Sequence, residues 1–568
     1  MQHILIKWFP LLTFSSLMGI PLILNFSALS YSFMPIMFIF WLLLIHSVHP
    51  VQLPKLGMYL LVLLFISQSV LWLSGGLKSA EPMLLGMVWI TVAFLMLYAM
   101  RYVMDDADTL FYSFIAVAVV WAVLGGIVWF GLTDGRPITV IGMAFTHVAQ
   151  SKPTGPFANG NVFAILMLCA WLISIKFWLD DKKNKILFFV LAFFFLVWVF
   201  ASMARGAWLA GSIIFIGLMF HLFYTKQWKK FLLLLFSAVL AWWLASEMVN
   251  FVLKTDELSE RAESMLTAGA RQILYPSVFE VWRGHWLLGV GFGNLVGHYL
   301  TGQAEAFAYL PNTLVGMGAT SSSHNHLLHI LSESGLVGLL LWIATAYLLF
   351  KSIIVNRFDV KSKAWLPLAM AMVLWVQGLF NISMNEALPF FFFFVCLGLG
   401  MAFQQSEHTK APFIFPKIYF SVGAVLVVLV LAFYSYSTWK AWNLYEQMIN
   451  TQEGTERGKI VGQLFRLNHN NIYPYVINSV VSDFMVNDKD EADKWMMIQP
   501  NIKHALTLEE WPTLYQGLFY SYMLNEEWDK ACELGEFLKQ QHWQHDQNNH
   551  AYESVCQQEK TGEFTLGW

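Results

Sequence analysis

Runs of about twenty apolar residues, parted by short polar connections, recur along the first 438 positions of the chain. Each run is long enough to cross a bilayer as a helix. Their placing predicts spans near 8–25, 31–48, 56–74, 83–103, 110–132, 161–179, 185–201, 206–224, 230–250, 326–350, 364–382, 387–404 and 416–438, about thirteen in all. The first run, Trp8 to Leu24, is too long for the apolar core of a signal peptide and is followed almost at once by a second span. It reads as a membrane helix. After residue 438 the pattern changes to amphipathic helical periodicity at 457–468, 474–486, 504–524 and 527–541. The expected architecture is an all-α polytopic membrane protein: residues 1–438 form the transmembrane core, with a large outer loop at 251–325, and residues 439–568 form a helical domain.

Composition agrees with this class, because 57% of the residues are hydrophobic and only 12% charged. The net charge of −3 points to no particular partner, and no basic stripe interleaved with aromatics offers a nucleic-acid surface. Aromatic residues make up 16% of the chain, an enrichment that interfacial belts explain without a ligand. Charge does decide orientation. With an odd number of spans and the N-terminus inside, the inner connections carry Lys55, Arg101, Lys182, Lys183, Lys185, Lys226, Lys229, Lys230, Arg357, Lys361, Lys363 and Lys410. The short outer ones carry only Lys78, Arg136, Lys152 and Arg205. The loop 251–325 and the tail then lie outside, which in a bacterial inner-membrane protein is the periplasm. Of the four cysteines, Cys169 and Cys396 fall in apolar spans, while Cys532 and Cys556 sit in the tail, where an oxidising compartment favours a disulfide between them.

Four polar groupings fall on that outer side. Gly155-Pro156-Phe157-Ala158-Asn159-Gly160-Asn161 places the Asn159 and Asn161 amides, candidate substrate-binding groups, at the mouth of a helix. The five-residue connection Ser202 to Gly206 holds Arg205 between two spans, a costly position unless the guanidinium meets an anion. Arg271 opens an amphipathic stretch suited to lie along the membrane surface. His324 and Asn325 follow three serines suited to capping the next helix, and Glu333, about 13 Å further along it, is an ionisable group at membrane depth that requires a partner or a role; Asn325 and Glu333 join the candidate substrate-binding groups. Two strings are decoys. Gly289-Val290-Gly291-Phe292-Gly293 has no strand before it and reads as a turn rather than a nucleotide loop. Asp106-Ala107-Asp108 falls on the inner side and reads as a capping loop; no metal site is expected.

These residues resemble the O-antigen ligase superfamily, which includes O-antigen ligases, O-antigen polymerases of the Wzy type and protein O-oligosaccharyltransferases of the PglL or pilin-glycosylating type. The resemblance spans about residues 60–400. Arg205 to Leu209 matches the family's R-x3-L and His324 to Gly335 its H-x10-G, with Arg271 and Leu287 to Asn294 between them. Met203-Ala204-Arg205 departs from the commoner Ser-Arg, which puts any role of that serine in doubt. The resemblance implies a GT-C-like ligase core, an undecaprenyl pyrophosphate-linked glycan as donor, no cofactor, and Arg205, Arg271 and His324 as essential residues.

The chemistry suits that inventory. When a hydroxyl attacks the anomeric carbon, negative charge grows on the departing pyrophosphate, so cations matter more than an acid. A guanidinium about 4 Å from an anion contributes about 4 kcal/mol at an effective dielectric near 20. The weak hydroxyl nucleophile gains from a base that is neutral at pH 7, and His324 qualifies. With no DxD on the outer side, the expected transfer is metal-independent and inverting. The tail suggests the acceptor. Helices near Leu514 to Leu524 and Trp528 to Leu538 look like a tetratricopeptide-type hairpin, and the layout is similar to that of oligosaccharyltransferases that modify pilins and other envelope proteins. A Ser or Thr hydroxyl of a periplasmic protein is therefore the expected acceptor, with lipid A-core or a growing glycan as alternatives. A transporter, the rival from another class, would gather polar residues at the midplane of several helices instead.

Overall fold

The computed structural model is helical almost throughout its described residues. These are 35–36, 38–40, 42–43, 45–46, 52–53, 55–131, 138–140, 143–145, 152–157, 159–180, 184–254, 271–310, 320, 322–356, 359–404, 413–414, 417–451, 454–467, 473–487, 492–509 and 511–540. The expected span 8–25, much of 31–48, Ala158, Ser321 and Cys556 lie outside them. Helices α1 (Lys55–Leu73), α2 (Ala80–Ala99), α3 (Ala107–Trp129), α4 (Gly160–Leu179), α5 (Lys185–Ala201), α6 (Arg205–Tyr224) and α7 (Trp228–Leu253) are followed by two shorter ones, α8 (Arg271–Gly284) and α9 (Tyr299–Phe307). Then come α10 (His326–Asn356), α11 (Trp365–Gly378), α12 (Ala387–Gln404) and α13 (Lys417–Asn450). The tail forms α14 (Gly454–Leu467), α15 (Tyr473–Asn487), α16 (Ala492–Leu508), α17 (Pro512–Leu524) and α18 (Trp528–Gln540).

Among the described residues, eight helices are long and apolar enough to cross a membrane, those over α2, α3, α4, α6, α7, α10, α12 and α13. Three shorter apolar helices, Met58–Leu73, Lys185–Ala201 and Trp365–Gly378, fall on three more of the expected spans. The protein is thus an all-α polytopic membrane protein. Among the described residues the strands are two- and three-residue antiparallel pairs, Gln52–Leu53 with Phe413–Ile414 and Ile138–Val140 with Met143–Phe145.

The chain divides into two compact units: residues 1–61, 88–267 and 341–432, and residues 62–87, 268–340 and 433–568. In the first, α4 is enclosed on nearly every side. Its one mid-helix hydroxyl, Ser174, returns a hydrogen bond to Ala170 O at 2.8 Å, so no polar group is stranded. α7 shows the opposite pattern, burying only Leu234, Ser237, Ala241, Ala245 and Val249. That stripe, mostly of small residues at helical spacing, lets it pack closely against α5 while large side chains such as Phe236 and Trp243 face outward. Asp108 lies in the first turn of α3, where an acidic side chain complements the helix dipole.

In the second unit the tail helices pack on their neighbours in sequence around Val481, Trp495, Ile502 and Leu514. The expected helix 504–524 is two helices. Pro512 opens α17 and holds Trp511 extended at φ −104°, ψ 133°, which ends α16 before it. In the same turn Glu509 accepts a 2.7 Å bond from Trp511 Nε1, and burial pushes its carboxyl up to about 7 despite that bond. Above pH 7 the folded tail holds a charged, half-buried carboxylate, while well below pH 4.5 the group is neutral folded and unfolded alike. Glu509→Gln is therefore expected to raise the melting midpoint at pH 8, by the equivalent of about 2–3 kcal/mol. At pH 4 the effect should be almost gone. Thermal scans of intrinsic fluorescence at both pH values check this. Cys532 is disulfide-bonded and Cys169 and Cys396 are free thiols; the expected partner, Cys556, lies outside the described residues.

Candidate active site

His324 sits in a tight turn immediately before α10. Its backbone is left-handed, with φ 49°, a conformation that a non-glycine residue holds only when its surroundings impose it. Several bonds do so. His324 N donates to Ser322 Oγ at 3.2 Å, Asn325 N to Ser323 Oγ at 3.3 Å, and Ser323 Oγ to Asn325 O at 2.5 Å. The helix is capped not by a serine, as the sequence suggested, but by Asn325, whose Oδ1 accepts from Leu328 N at 3.1 Å. The serines shape the turn instead. Asn325, expected to bind substrate, thus has a structural task.

α8 supplies the second part. It buries Ile273, Leu274, Ser277, Val278 and Val281 on one face, as the amphipathic pattern predicts. Arg271 and Tyr275 stand one turn apart, and the Arg271 charge acts on the Tyr275 phenol. Tyr275 OH reaches His324 O at 3.4 Å and also bonds the Asn325 side chain. Burial raises the phenol above its usual range, with Arg271 and Asn325 pulling the other way, so it remains a donor at neutral pH. Its ring packs with Leu328 on a cluster of Leu274, Val278, Val281, Val290, Leu295, Tyr299 and Leu300. Tyr275 is the residue that sequence reading missed. Only its position one turn after Arg271 marks it.

α10 is not continuous. Gly335, at φ 58° and ψ −151°, interrupts its helical geometry, so His326–Ser334 is a short helix of its own. The expected uninterrupted helix from 326 to 350 is corrected accordingly. The break admits the glycine loop. Val290 N and Gly291 N donate to Ser332 O and Glu333 O, each at 2.8 Å, and Leu336 N returns to Trp286 O and Leu287 O at 3.1 Å. Gly289, Gly291 and Gly293 all have positive φ, and a Cβ on Gly289 would lie 2.4 Å from Glu333 C. The loop's N–H groups are all engaged, those of Gly289, Val290 and Gly291 with backbone carbonyls, that of Phe292 with Gln68 Oε1 and that of Gly293 with the Glu333 carboxylate, so it cannot cradle phosphates. Glu333 finds its partner here: its carboxylate faces the Gly293 and Leu295 N–H groups and lies 3.4 Å from His329 Nε2. It is 5% exposed and fastens the loop to the helix. The α1–α2 turn clamps the loop from behind. Ser79 N donates to Asn294 Oδ1 at 2.6 Å, Asn294 Nδ2 donates to Ser79 O at 2.9 Å, and Lys78 Nζ donates to Gly297 O.

Arg205, Asn159 and Asn161 lie in the first unit. Met203 is left-handed, at φ 52°, and turns the chain sharply so that α6 begins at Arg205, which is half-buried. Ala204 occupies the N-cap with no side-chain bond. A serine at that position would cap the helix, whereas this alanine packs on Ala164 and Ala207. Trp208 Nε1 braces the turn by donating to Val199 O at 3.0 Å. Asn159 caps α4, accepting from Asn161 N at 2.9 Å and from Asn161 Nδ2 at 3.0 Å. Gln377, fully buried and also missed, donates to Asn161 O at 2.9 Å, and a Cβ on Gly206 would lie 3.3 Å from its Cγ. It ties the Arg205 turn to the mouth of α4.

The structure therefore brings Arg271, His324, Asn325 and Glu333 into one constellation, and Asn159, Asn161 and Arg205 into another. Among the described residues no group of three or more His, Cys, Asp or Glu side chains is arranged to hold a metal ion. No curated protein matches the chain. Residues 187–343 match the O-antigen ligase family, a segment that contains Arg205, Arg271, His324 and Gly335 but not the tail. Over this segment, which is less than half of its length, the chain is similar to the O-antigen ligase family.

Proposed function

We propose that the protein transfers an oligosaccharide en bloc from undecaprenyl pyrophosphate to a Ser or Thr hydroxyl of a periplasmic acceptor protein such as a pilin. In this reading Arg205 and Arg271 stabilise the charge growing on the pyrophosphate as the anomeric bond breaks, through the bidentate geometry of guanidinium. His324 takes the proton of the attacking hydroxyl, and inversion follows from a single displacement without a metal. The active site and tail face the periplasm of a bacterial inner-membrane protein.

One observation carries the choice of acceptor: the tail is built onto the His324 constellation. Tyr515 of α17 packs on the same apolar cluster as Tyr275 and Leu328. A ligase acting on a lipid in its own bilayer has no use for such an arrangement, whereas a docking domain gains effective concentration from it. The test is deletion of the gene in its host, with separate readouts of envelope-protein glycosylation and of surface polysaccharide. Loss of protein glycans with polysaccharide banding intact is the expected result. Loss of long polysaccharide with protein glycans untouched would replace this reading by an O-antigen ligase or polymerase.

A further inference from the structure

A cleft of about 550 Å³ opens within the second unit, between the α1–α2 turn and the helices α16 and α17. It is lined by Leu77, Lys78, Lys503, Leu506, Thr507 and Tyr515, none of them acidic. Its two cations are held differently. Lys78 is fixed by its bond to Gly297 O. Lys503 is exposed, 5.0 Å over the Tyr522 ring and 3.4 Å from Gln499 Oε1, so its ammonium can turn toward an arriving anion. Leu77, Leu506 and Tyr515 supply the apolar part of the lining.

The cleft continues onto an exposed face of α16. Met496, Pro500, Lys503 and Thr507 follow one another at helical spacing on its solvent side, and the adjacent Met497 is 79% exposed. Neighbouring exposed thioethers are an adaptable apolar surface of the kind that accepts varied protein side chains. A phosphate site would require a fork of several donors converging on one point. Two ammonium groups in a cleft of mixed polar and apolar lining that opens onto methionines suit a peptide.

We propose that this cleft, with the methionine face of α16, docks the acceptor protein by receiving a short segment that carries an acidic residue between apolar ones. The proposal rests on the protein-acceptor reading above and names the chemistry by which that acceptor is recognised. Because Tyr515 lines the cleft and also packs on the cluster shared with Tyr275 and Leu328, a segment held here is retained on the module that carries His324.

The experiment is fluorescence anisotropy with the full chain in lipid nanodiscs, using a fluorescein-labelled hexapeptide of alternating leucine and aspartate and its leucine–lysine counterpart. The acidic peptide is expected to bind, and Lys503→Glu to weaken it about tenfold, more so at low salt. Thr507→Trp, which fills the cleft without altering charge, should weaken it as well. Both positions are exposed, so an unchanged melting midpoint verifies folding. Equal binding of the two peptides, binding indifferent to Lys503→Glu, or displacement of the acidic peptide by inorganic pyrophosphate would each overturn the proposal, the last by assigning the cleft to the donor headgroup. The two readings can fail separately. Lys503-dependent peptide binding in a host that glycosylates no protein leaves the cleft standing and removes the acceptor assignment; glycosylated proteins with Lys503-independent binding do the reverse.

Discussion

Gly335→Ala is expected to abolish glycan transfer although it removes no polar group. At φ 58° and ψ −151°, Gly335 occupies a region open essentially to glycine alone, and a side chain there costs about 1–3 kcal/mol in backbone strain. Space adds to the cost. A Cβ would lie 2.3 Å from Leu287 O and 2.4 Å from Leu287 C, so the loop and the helix would have to part. Parting them breaks the bonds from Leu336 N to Trp286 O and Leu287 O, and with them the register that pairs Val290 and Gly291 with Ser332 and Glu333. His324 is set by the helix on the other side of that register, and a displacement of about 1 Å is enough to lower a rate about a hundredfold. Transfer should be measured with purified lipid-linked donor and acceptor at matched protein levels in membranes. Near-normal turnover would show that the break at Gly335 does not position the His324 turn.

His324→Ala should lower transfer by about 10²- to 10⁴-fold, the usual contribution of a positioned base to a hydroxyl nucleophile. Pyrophosphate is a good leaving group and takes no proton as it departs, so losing the proposed base affects the acceptor side alone. Binding of lipid-linked donor, which the proposal gives to the guanidinium groups, should persist. Single-turnover transfer and donor retention on immobilised protein distinguish the two steps. A loss below tenfold would remove His324 from the role of base, and loss of donor binding would move it to the anion site.

Much of the fold was legible because a membrane leaves little choice: a run of twenty apolar residues must hide its backbone in a helix. α8 was equally readable, since its amphipathic period survives as the buried set Ile273, Leu274, Ser277, Val278 and Val281. The break between α16 and α17 was written in Pro512 and passed over, because the apolar periodicity on either side outweighed the restriction on Trp511. The His324 to Gly335 spacing stood out as a motif, yet its cause did not, since a positive φ forced by a loop from forty residues upstream leaves no local trace. Tyr275 was invisible for the same reason. Its partner His324 is 49 residues away, and nothing in the intervening chain announces the contact. Asn325 and Glu333 stood out for their polarity, but the structural bonds each makes, Asn325 as a helix cap and Glu333 to the glycine loop, could not be read from the sequence.

The clamp on the glycine loop bears on biosynthesis. Asn294 bonds Ser79 across 215 residues, Lys78 reaches Gly297 across 219, and Phe292 N meets Gln68 Oε1 across 224. Contacts so far apart in the chain form late, after the intervening segment has been synthesised and threaded into the membrane. The nascent chain consequently displays α1, α2 and α6 well before it has a seat for His324, and a ribosome that stalls before residue 336 leaves a product with spans in place but no closed loop. A half-made enzyme in the membrane therefore has no completed His324 seat with which to consume lipid-linked glycan.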